Sequence, residues 1–236
     1  MNIIKPFQLA LDLPIEERYG AEDFLVGDSN ALAYGLIEQW PEWHDPVLLM
    51  VGPPGSGKTH LAHIWARQAH ALFIRPEDIA AARAQDILSA HAVLIEDMDQ
   101  GRFDEASLFH ILNRARETQS SVLITARTPP SDWKIRTPDL LSRLRLAPRI
   151  DLQEPDDGLL TALLVKFFVE RQMVVDMQVV DFIKSRIDRS VSALRDFVDR
   201  LNREGLARRR RITRALARDL WKAMDQQQED MGWTQV

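Results

Sequence analysis

The chain of 236 residues contains no cysteine, which excludes a disulfide-stapled scaffold and any cysteine-ligated metal site. It also lacks a long apolar run, because Lys166 interrupts the best stretch, LLTALLVKFFV, well short of the roughly 18 residues that a membrane helix needs. Gln8 and Asp12 break the leucine pattern near the start, so no signal peptide is expected. With 45% apolar and 28% charged residues, the composition is that of an ordinary globular protein. We therefore expect a soluble, cytoplasmic protein of one to two domains.

Charge is unevenly distributed along the chain, whose formal net charge is -5. Residues 1–46 carry two basic and nine acidic side chains, whereas residues 181–220 carry twelve basic and six acidic ones. The second region includes the run Arg208 to Arg211, which suggests contact with nucleic acid or an acidic partner. A solvated turn between two helices is the favoured alternative, because acidic residues are interleaved with the basic ones and stacking aromatics are lacking.

Five short apolar runs alternate with helical segments. They are VLLMV at 47–51, ALFI at 71–74, AVLI at 92–95, SVLIT at 121–125 and a weaker RIDL at 149–152. Continuous apolar strands that alternate with helices predict an α/β fold with a parallel sheet covered on both faces.

The pattern changes after Pro155, where helical periodicity replaces the strands. The predicted helices cover residues 156–173, 177–188, 190–204 and 213–223. We therefore expect four parts in the chain. They are a flexible N-terminal segment over 1–17, an α/β core over 18–155, a small all-helical domain over 156–225 and a C-terminal tail over 226–236.

The strongest functional motif is GPPGSGKT, which lies between the strand VLLMV and the helical pattern THLAHIWARQAH. It is the phosphate-binding loop G-x-x-x-x-G-K-[ST] in the strand-loop-helix context that the motif requires. Its glycines let backbone N–H groups turn toward phosphates, and the following helix presents its positive N-terminal end to them. We expect Lys58 to contact the β- and γ-phosphates of ATP or ADP and the Thr59 hydroxyl to ligate Mg²⁺. The expected nucleotide-binding residues are Gly52, Pro53, Pro54, Gly55, Ser56, Gly57, Lys58 and Thr59.

Three acidic residues, Glu96, Asp97 and Asp99, follow the apolar run AVLI. A phosphate loop works with an acid at the end of a neighbouring strand, which orients the metal ion and the attacking water. An aspartate usually comes first in this pair, but here Glu96 precedes Asp97. Which of the two holds the Mg²⁺ shell and which polarises water therefore stays open. Asp99 either joins this set or caps the following turn.

Together these residues resemble the AAA+ ATPases of the DnaA replication-initiator family. GKTHL continues the phosphate loop as in that family, and FLVGDSNALA resembles its segment leading into the nucleotide pocket. Pro129-Pro130 after SVLITART, and PDLLSRL from Pro138, match in order and spacing. The resemblance covers residues 18–223 and implies an AAA+ P-loop NTPase core with a helical lid. The initiator's helix-turn-helix domain has no counterpart, so sequence-specific DNA binding is not expected.

The segment QLALDL resembles the Q-L-x-L-x-L peptide by which bacterial proteins dock on the replicative sliding clamp. In an extended peptide, Gln8 would hydrogen bond at one end of a groove, while Leu11 and Leu13 fill an apolar pocket; Leu9 belongs to the same motif. Each buried leucine contributes about 1.5 to 3 kcal/mol. Ordering the segment offsets part of this, so micromolar affinity is expected. An edge strand packed on its own domain is the alternative.

A clamp-docking peptide ahead of an initiator-like core is similar to the Hda family. These DnaA-related regulators associate with the DNA polymerase III β sliding clamp, stimulate ATP hydrolysis by DnaA and so limit re-initiation. An arginine of that family acts across the interface between two ATPase domains, and Arg143 stands at the matching position. The resemblance thus implies that Arg143 is an arginine finger in trans and that DnaA and the clamp are partners. A surface salt bridge is the alternative role for Arg143, and whether two copies pair is open.

Two departures from the family pattern predict weak hydrolysis by the chain itself. Arg127 stands where a smaller polar or acidic residue usually reads the γ-phosphate. Ser192 replaces the arginine that connects the lid to the nucleotide, and Arg195, nearly one turn later, is the candidate substitute. The bound nucleotide is then expected to have a conformational role, in which ATP or ADP fixes the angle between the core and the lid.

Two other classes of protein share the phosphate loop. A helicase loader of the DnaC type would hydrolyse its own ATP and bind single-stranded DNA, with the arginine run as one contact, but it needs no clamp peptide. A small-molecule kinase would need an acceptor pocket, whereas this chain devotes its last part to a helical domain.

Overall fold

The structure is a computed structural model that describes residues 19–79, 87, 89–208 and 210–232, with side chains up to residue 226. The described chain divides into two compact units. The core unit comprises Tyr19–Leu159 together with Arg189–Val191, and the helical unit comprises Leu160–Asp188 together with the residues from Ser192 onward. Among the described residues, no helix has the length and apolar character to span a membrane.

The core unit is built on a five-stranded parallel sheet with the order β2-β3-β4-β1-β5. The strands are β1 (Val47–Val51), β2 (Leu72–Ile74), β3 (Ala92–Ile95), β4 (Ser121–Ala126) and β5 (Arg149–Asp151). Every residue of β1 and β3 is buried, as expected for strands covered on both faces. The parallel sheet predicted from the apolar runs is confirmed.

Four α-helices among the described residues of the core unit cover this sheet. They are α1 (Ala31–Glu38), α2 (Lys58–Ala69), α3 (Glu105–Thr118) and α4 (Pro138–Leu146). Successive side chains of β1 enter different hydrophobic clusters, because side chains alternate between the faces of a strand. Leu49 packs in one cluster with Leu112 of α3, and Met50 packs in the other with Leu61 and Trp65 of α2. The two clusters hold the helices against the sheet.

Local sequence explains where two of these helices begin. The Asp104 carboxylate accepts a hydrogen bond of 2.7 Å from the backbone N–H of Ser107, which satisfies one of the free donors in the first turn of α3. Pro138 is the first residue of α4, a position where its missing N–H costs no hydrogen bond.

The helical unit contains the last four helices of the described chain. By contact, the first three residues of α5 and the first residue of α7 belong to the core unit. The helices are α5 (Asp157–Glu170), α6 (Met177–Lys184), α7 (Val191–Arg208) and α8 (Arg214–Gly232). One face of α7 buries Leu194, Phe197, Val198 and Leu201. These apolar side chains supply much of the interior of the unit.

Candidate functional site

The loop from Gly52 to Gly57 connects the carboxyl end of β1 to the first residue of α2. Gly55 and Gly57 have φ values of 72° and 95°, a region that side chains other than glycine disfavour. A Cβ atom on Gly52 would lie 2.6 Å from the carbonyl oxygen of Leu152, and one on Gly55 would overlap the Ser190 side chain. Glycine is therefore required at Gly55 and Gly57 for the backbone turn, and at Gly52 and Gly55 for the close approach of Leu152 and Ser190.

Lys58 is folded back onto this loop. Its ammonium group donates hydrogen bonds to the carbonyl oxygens of Gly52 at 2.7 Å and Pro53 at 2.8 Å, and the residue is only 6% exposed. Burial lowers the pKa of the Lys58 ammonium, while the carboxylate of Asp97 opposes this shift. A buried cation fixed at the mouth of a backbone loop is suited to binding an anion.

Two further features of the loop favour an anionic ligand. No side chain caps the start of α2 in the described structure, where Gly57 is the N-cap residue, so the first-turn N–H groups point into the loop without a side-chain acceptor. The Ser56 hydroxyl is buried and has no hydrogen-bond partner among the described residues. Thr59, the second residue of α2, is partly exposed. The eight predicted residues Gly52 to Thr59 thus form one continuous strand-loop-helix site.

Glu96 and Asp97 follow directly after β3. Asp97 has a φ of 51°, and its backbone N–H donates a hydrogen bond of 3.1 Å to the hydroxyl of Thr125. Thr125 is 1% exposed in β4, so it holds the left-handed turn from inside the sheet. The charges of Asp97 and Glu96 both act on the pKa of Lys58, which shows that the structure brings the predicted acids and the loop together.

His63 of α2 faces Glu96, a pairing that the sequence analysis missed. The His63 Nε2 atom lies 3.5 Å from Glu96 Oε2, and the His63 ring stacks on Tyr19 with centroids 4.7 Å apart. The other carboxylate oxygen of Glu96 is buried without a hydrogen-bond partner in the described part of the chain. One carboxylate oxygen of Glu96 is therefore paired with His63, and the other is an unused hydrogen-bond acceptor among the described residues.

Asp99 connects the loop after β3 to the end of β4. Its carboxylate accepts hydrogen bonds of 2.9 to 3.1 Å from the backbone N–H groups of Arg127 and Thr128, and one of 3.0 Å from the Thr128 hydroxyl. Burial raises the pKa of Asp99, but these hydrogen bonds outweigh it and hold the pKa below its usual value. The principal role of Asp99 is thus to join two strand ends. It also fixes the backbone of Arg127, whose exposed side chain acts on the pKa of Lys58.

Arg143 lies on α4 and is partly exposed. Its guanidinium carbon is 4.9 Å from the centroid of the Phe109 ring of α3, within the range of a cation–π contact. The Arg116 guanidinium donates to the Arg143 carbonyl oxygen at 3.5 Å. Among the described residues, the contacts found for Arg143 are this ring contact and the hydrogen bond to its carbonyl oxygen.

The start of α4 is fixed by α3 as well. The Glu105 carboxylate accepts hydrogen bonds from the backbone N–H groups of Arg136 at 2.9 Å and Thr137 at 2.8 Å. A hydrogen bond from the Thr137 side chain contributes most to holding the pKa of Glu105 below its usual value, and these two backbone bonds lower it further. Glu105, Phe109 and Arg116 of α3 thus contact α4 at its start and at Arg143.

The remaining predicted residues lie elsewhere. Arg195 belongs to the helical unit, where its guanidinium carbon is 5.3 Å from the centroid of the Phe167 ring. Ser192 is the second residue of α7. The clamp motif, with Gln8, Leu9, Leu11 and Leu13, lies outside the described residues.

Three comparisons with known proteins agree on one kind of domain. The profile of an AAA domain matches residues 47–129. The chromosomal replication initiator protein DnaA of Cereibacter sphaeroides is 27% identical over 237 aligned residues, which cover 87% of this chain and 52% of that protein. This chain thus spans about half the length of that curated relative.

Two solved structures resemble the fold closely. Domain III of the Thermotoga maritima replication initiation protein DnaA has a TM-score of 0.74 at 19% identity, and the match covers 87% of this chain and 96% of that one. The AMPPCP-bound DnaA from Aquifex aeolicus has a TM-score of 0.70 at 18% identity, covering 79% of this chain and 66% of that one. The fold is that of an AAA+ P-loop NTPase, as predicted, and the chain is similar in sequence to the replication initiator DnaA.

Proposed function

We propose that this chain is a nucleotide-binding AAA+ regulator of chromosome replication, which docks on the sliding clamp and stimulates ATP hydrolysis by DnaA. Its homology to the AAA+ domain of DnaA supports a role in replication. The phosphate loop binds ATP or ADP, the peptide from Gln8 to Leu13 binds the clamp, and Arg143 acts in trans on the nucleotide of DnaA.

The loop residues fit a nucleotide. The backbone turn at Gly55 and Gly57 leaves room for no other residue type without strain, and the buried ammonium of Lys58 supplies the positive charge. The Thr59 hydroxyl and the carboxylates of Glu96 and Asp97 supply the oxygen ligands that Mg²⁺ prefers. These protein residues would bind and orient the phosphates of a Mg-nucleotide.

Hydrolysis by this chain itself is expected to be weak. Glu96 is engaged with His63, and Asp97 is held in a left-handed turn by Thr125. Arg127 stands at the end of β4 with its backbone tied to Asp99. The usual arrangement has a metal-orienting acid, then a water-polarising acid, and a small polar residue that senses the γ-phosphate. Glu96, Asp97 and Arg127 do not follow this arrangement. The bound nucleotide therefore serves a conformational role.

The proposed action on DnaA rests on the presentation of Arg143. Its guanidinium is braced by Phe109 on one side, while a partly exposed position on α4 leaves its donors accessible to a partner. A guanidinium that reaches the γ-phosphate held by DnaA neutralises charge that develops in the transition state, an effect of about 10³ to 10⁵ in rate in comparable systems. The braced arginine is the observation that carries the proposal.

The peptide from Gln8 to Leu13 localises the regulator to the sliding clamp. Replacing Gln8, Leu11 and Leu13 with alanine should abolish co-migration of the chain with the sliding clamp in gel filtration. A variant with alanine at Asp12, which the motif does not use, is the matched control. Retained co-migration of the triple variant would exclude this docking mode.

Function is tested by reconstitution with ATP-bound DnaA and DNA-loaded clamp. Addition of the chain should accelerate hydrolysis by DnaA, whereas the chain alone should turn over radiolabelled ATP at close to the background rate. Brisk turnover by the chain alone would contradict the regulator and favour the helicase-loading ATPase.

A further inference from the structure

The helical unit contains a cavity of about 430 Å³ between α6, the turn after it, and α8. This volume lies within the range of roughly 300 to 1,000 Å³ that is typical of small-ligand pockets. Four cationic and two aromatic side chains line it, namely Phe182, Arg186, Arg214, Arg218, Trp221 and Lys222. No carboxylate lines the cavity in the described part of the chain.

Arg186 lies over both aromatic rings of the cavity. Its guanidinium carbon is 5.3 Å from the centroid of Trp221 and 5.9 Å from that of Phe182. Phe182 is buried, whereas Trp221 is partly exposed and Arg186 is exposed. A guanidinium that stacks on aromatic faces keeps its in-plane N–H donors available for a phosphate.

Most of the cationic charge here is not neutralised by the described residues of the unit. Arg218 pairs with the neighbouring Asp219 at 3.4 Å, but no ion pair is found for Arg186, Arg214 or Lys222 among the residues described. Arg214 is also the first residue of α8, so the positive end of the helix dipole adds to the charge at the cavity. Concentrated positive charge of this kind attracts a polyanion.

We propose that this cavity binds a nucleotide unit of single-stranded nucleic acid, with Arg186, Arg214 and Lys222 on the phosphates and Trp221 against a base. Proteins that bind single strands combine cationic side chains with aromatic faces on which bases stack. The arginine run that precedes α8 lacks aromatics of its own, and the cavity supplies them from α6 and α8.

The aromatic side chains of the cavity favour one class of polyanionic ligand over the others. An acidic peptide would use the cations but offers no aromatic group to stack on the part of the Trp221 indole that Arg186 does not contact. A duplex keeps its bases stacked on one another, so Trp221 has no base to contact. A single strand occupies both parts of the cavity, and because every base has a π face, binding is expected to be independent of sequence.

Fluorescence anisotropy of the full chain with a labelled thymidine oligonucleotide of about 15 residues tests this site. The double variant Arg186→Gln/Arg214→Gln should bind at least about tenfold more weakly. The slope of log K against log salt should also fall by about 1.4, because each phosphate contact to a single strand contributes about 0.7. Trp221→Leu should lose about tenfold in affinity, and Trp221→Phe should stay within about twofold of the original chain.

Arg200→Gln/Arg203→Gln is the matched control, since it removes the same charge from exposed positions of α7 outside the cavity. We expect this control to lose less than about threefold in affinity with little change in slope. An equal loss in both double variants would overturn the site, as would tighter binding of a poly-glutamate peptide or of duplex DNA than of the single strand.

The assay is independent of the proposed regulatory function, because it uses neither DnaA nor the clamp. An excess of ADP should leave the affinity for the oligonucleotide unchanged. Displacement of the oligonucleotide by ADP would place it in the phosphate loop and overturn the proposal for the cavity.

Discussion

Arg143 and Phe109 form a cation–π contact between α4 and α3, with the guanidinium carbon 4.9 Å from the ring centroid. A contact of this kind contributes about 0.5 to 1 kcal/mol at exposed sites, which is small for stability but enough to favour one direction of a long, partly exposed side chain. The ring therefore pre-orients the guanidinium that we propose to act on DnaA.

Removal of the ring should weaken this pre-orientation without unfolding the chain. Phe109→Leu is expected to lower the stimulation of DnaA hydrolysis several-fold, while binding of nucleotide and clamp is unchanged. Phe109→Tyr retains the aromatic face and should retain the stimulation. The measurement is the hydrolysis rate of ATP-bound DnaA at a saturating concentration of each variant. Equal rates for the leucine and tyrosine variants would show that the ring does not position Arg143.

Lys58→Ala should abolish nucleotide binding. The substitution removes the ammonium that bonds to the carbonyl oxygens of Gly52 and Pro53, and with it the positive charge of the loop. We expect a loss of at least about 2 kcal/mol in binding free energy, because hydrogen bonds to charged groups contribute about 1.5 to 3 kcal/mol each. Equilibrium binding of a fluorescent ADP analogue measures the loss, with Lys134→Ala as an exposed-lysine control. Undiminished binding to the Lys58 variant would remove this residue from the site.

Asp99 should make the stability of the core unit depend on pH. Its pKa is lower in the folded chain than in the unfolded chain, so its contribution is complete above the unfolded pKa of about 3.9 and is lost as the pH falls through the folded pKa. Asp99→Asn should therefore lower the free energy of unfolding by about 1 to 2 kcal/mol at pH 7. The difference from the original chain should shrink as the pH is lowered toward about 3. Urea denaturation across this range measures it, and a pH-independent difference would contradict the assignment.

The partly buried ion pair between Arg171 and Asp199 should contribute more to the stability of the helical unit than an exposed pair does. Arg171 has a side chain that is 4% exposed, and its Nε atom lies 2.6 Å from the Asp199 carboxylate. Asp199→Ala removes the shorter of the two ion pairs of Arg171 and leaves its 3.4 Å contact with Glu170 and its hydrogen bond to the Phe167 carbonyl oxygen, so we expect a loss of about 2 kcal/mol in unfolding free energy. Glu204→Ala, which breaks the exposed pair with Arg208 on the same helix, should cost about 0.5 kcal/mol or less. Thermal unfolding of the two variants compares them directly, and similar costs would contradict the structure.

The sheet and the phosphate loop were predictable because their signals are local. Continuous apolar runs such as Val47–Val51 indicate buried parallel strands, and the loop motif carries its own glycines and lysine in adjacent positions. The acids Glu96 and Asp97 were also found, since each directly follows a strand.

Contacts between distant segments were not predictable from such patterns. Asp99 bonds to residues 28 and 29 positions later, a separation that no local sequence pattern reveals. Phe109 supports Arg143 only because α3 and α4 pack together. The cavity beside Trp221 likewise depends on how α6 and α8 meet. In each case the sequence contains the side chains, but the packing of helices and sheet brings them together.

Hydrolysis by ATP-bound DnaA on DNA-loaded clamp, compared between the original chain and Arg143→Ala, tests the central claim most directly. The variant should bind ADP and the clamp as the original chain does, yet fail to accelerate hydrolysis, a loss of at least about 100-fold in stimulated rate. Arg145→Ala, an exposed arginine on the same helix, should retain the acceleration. Unchanged acceleration by Arg143→Ala would contradict the account.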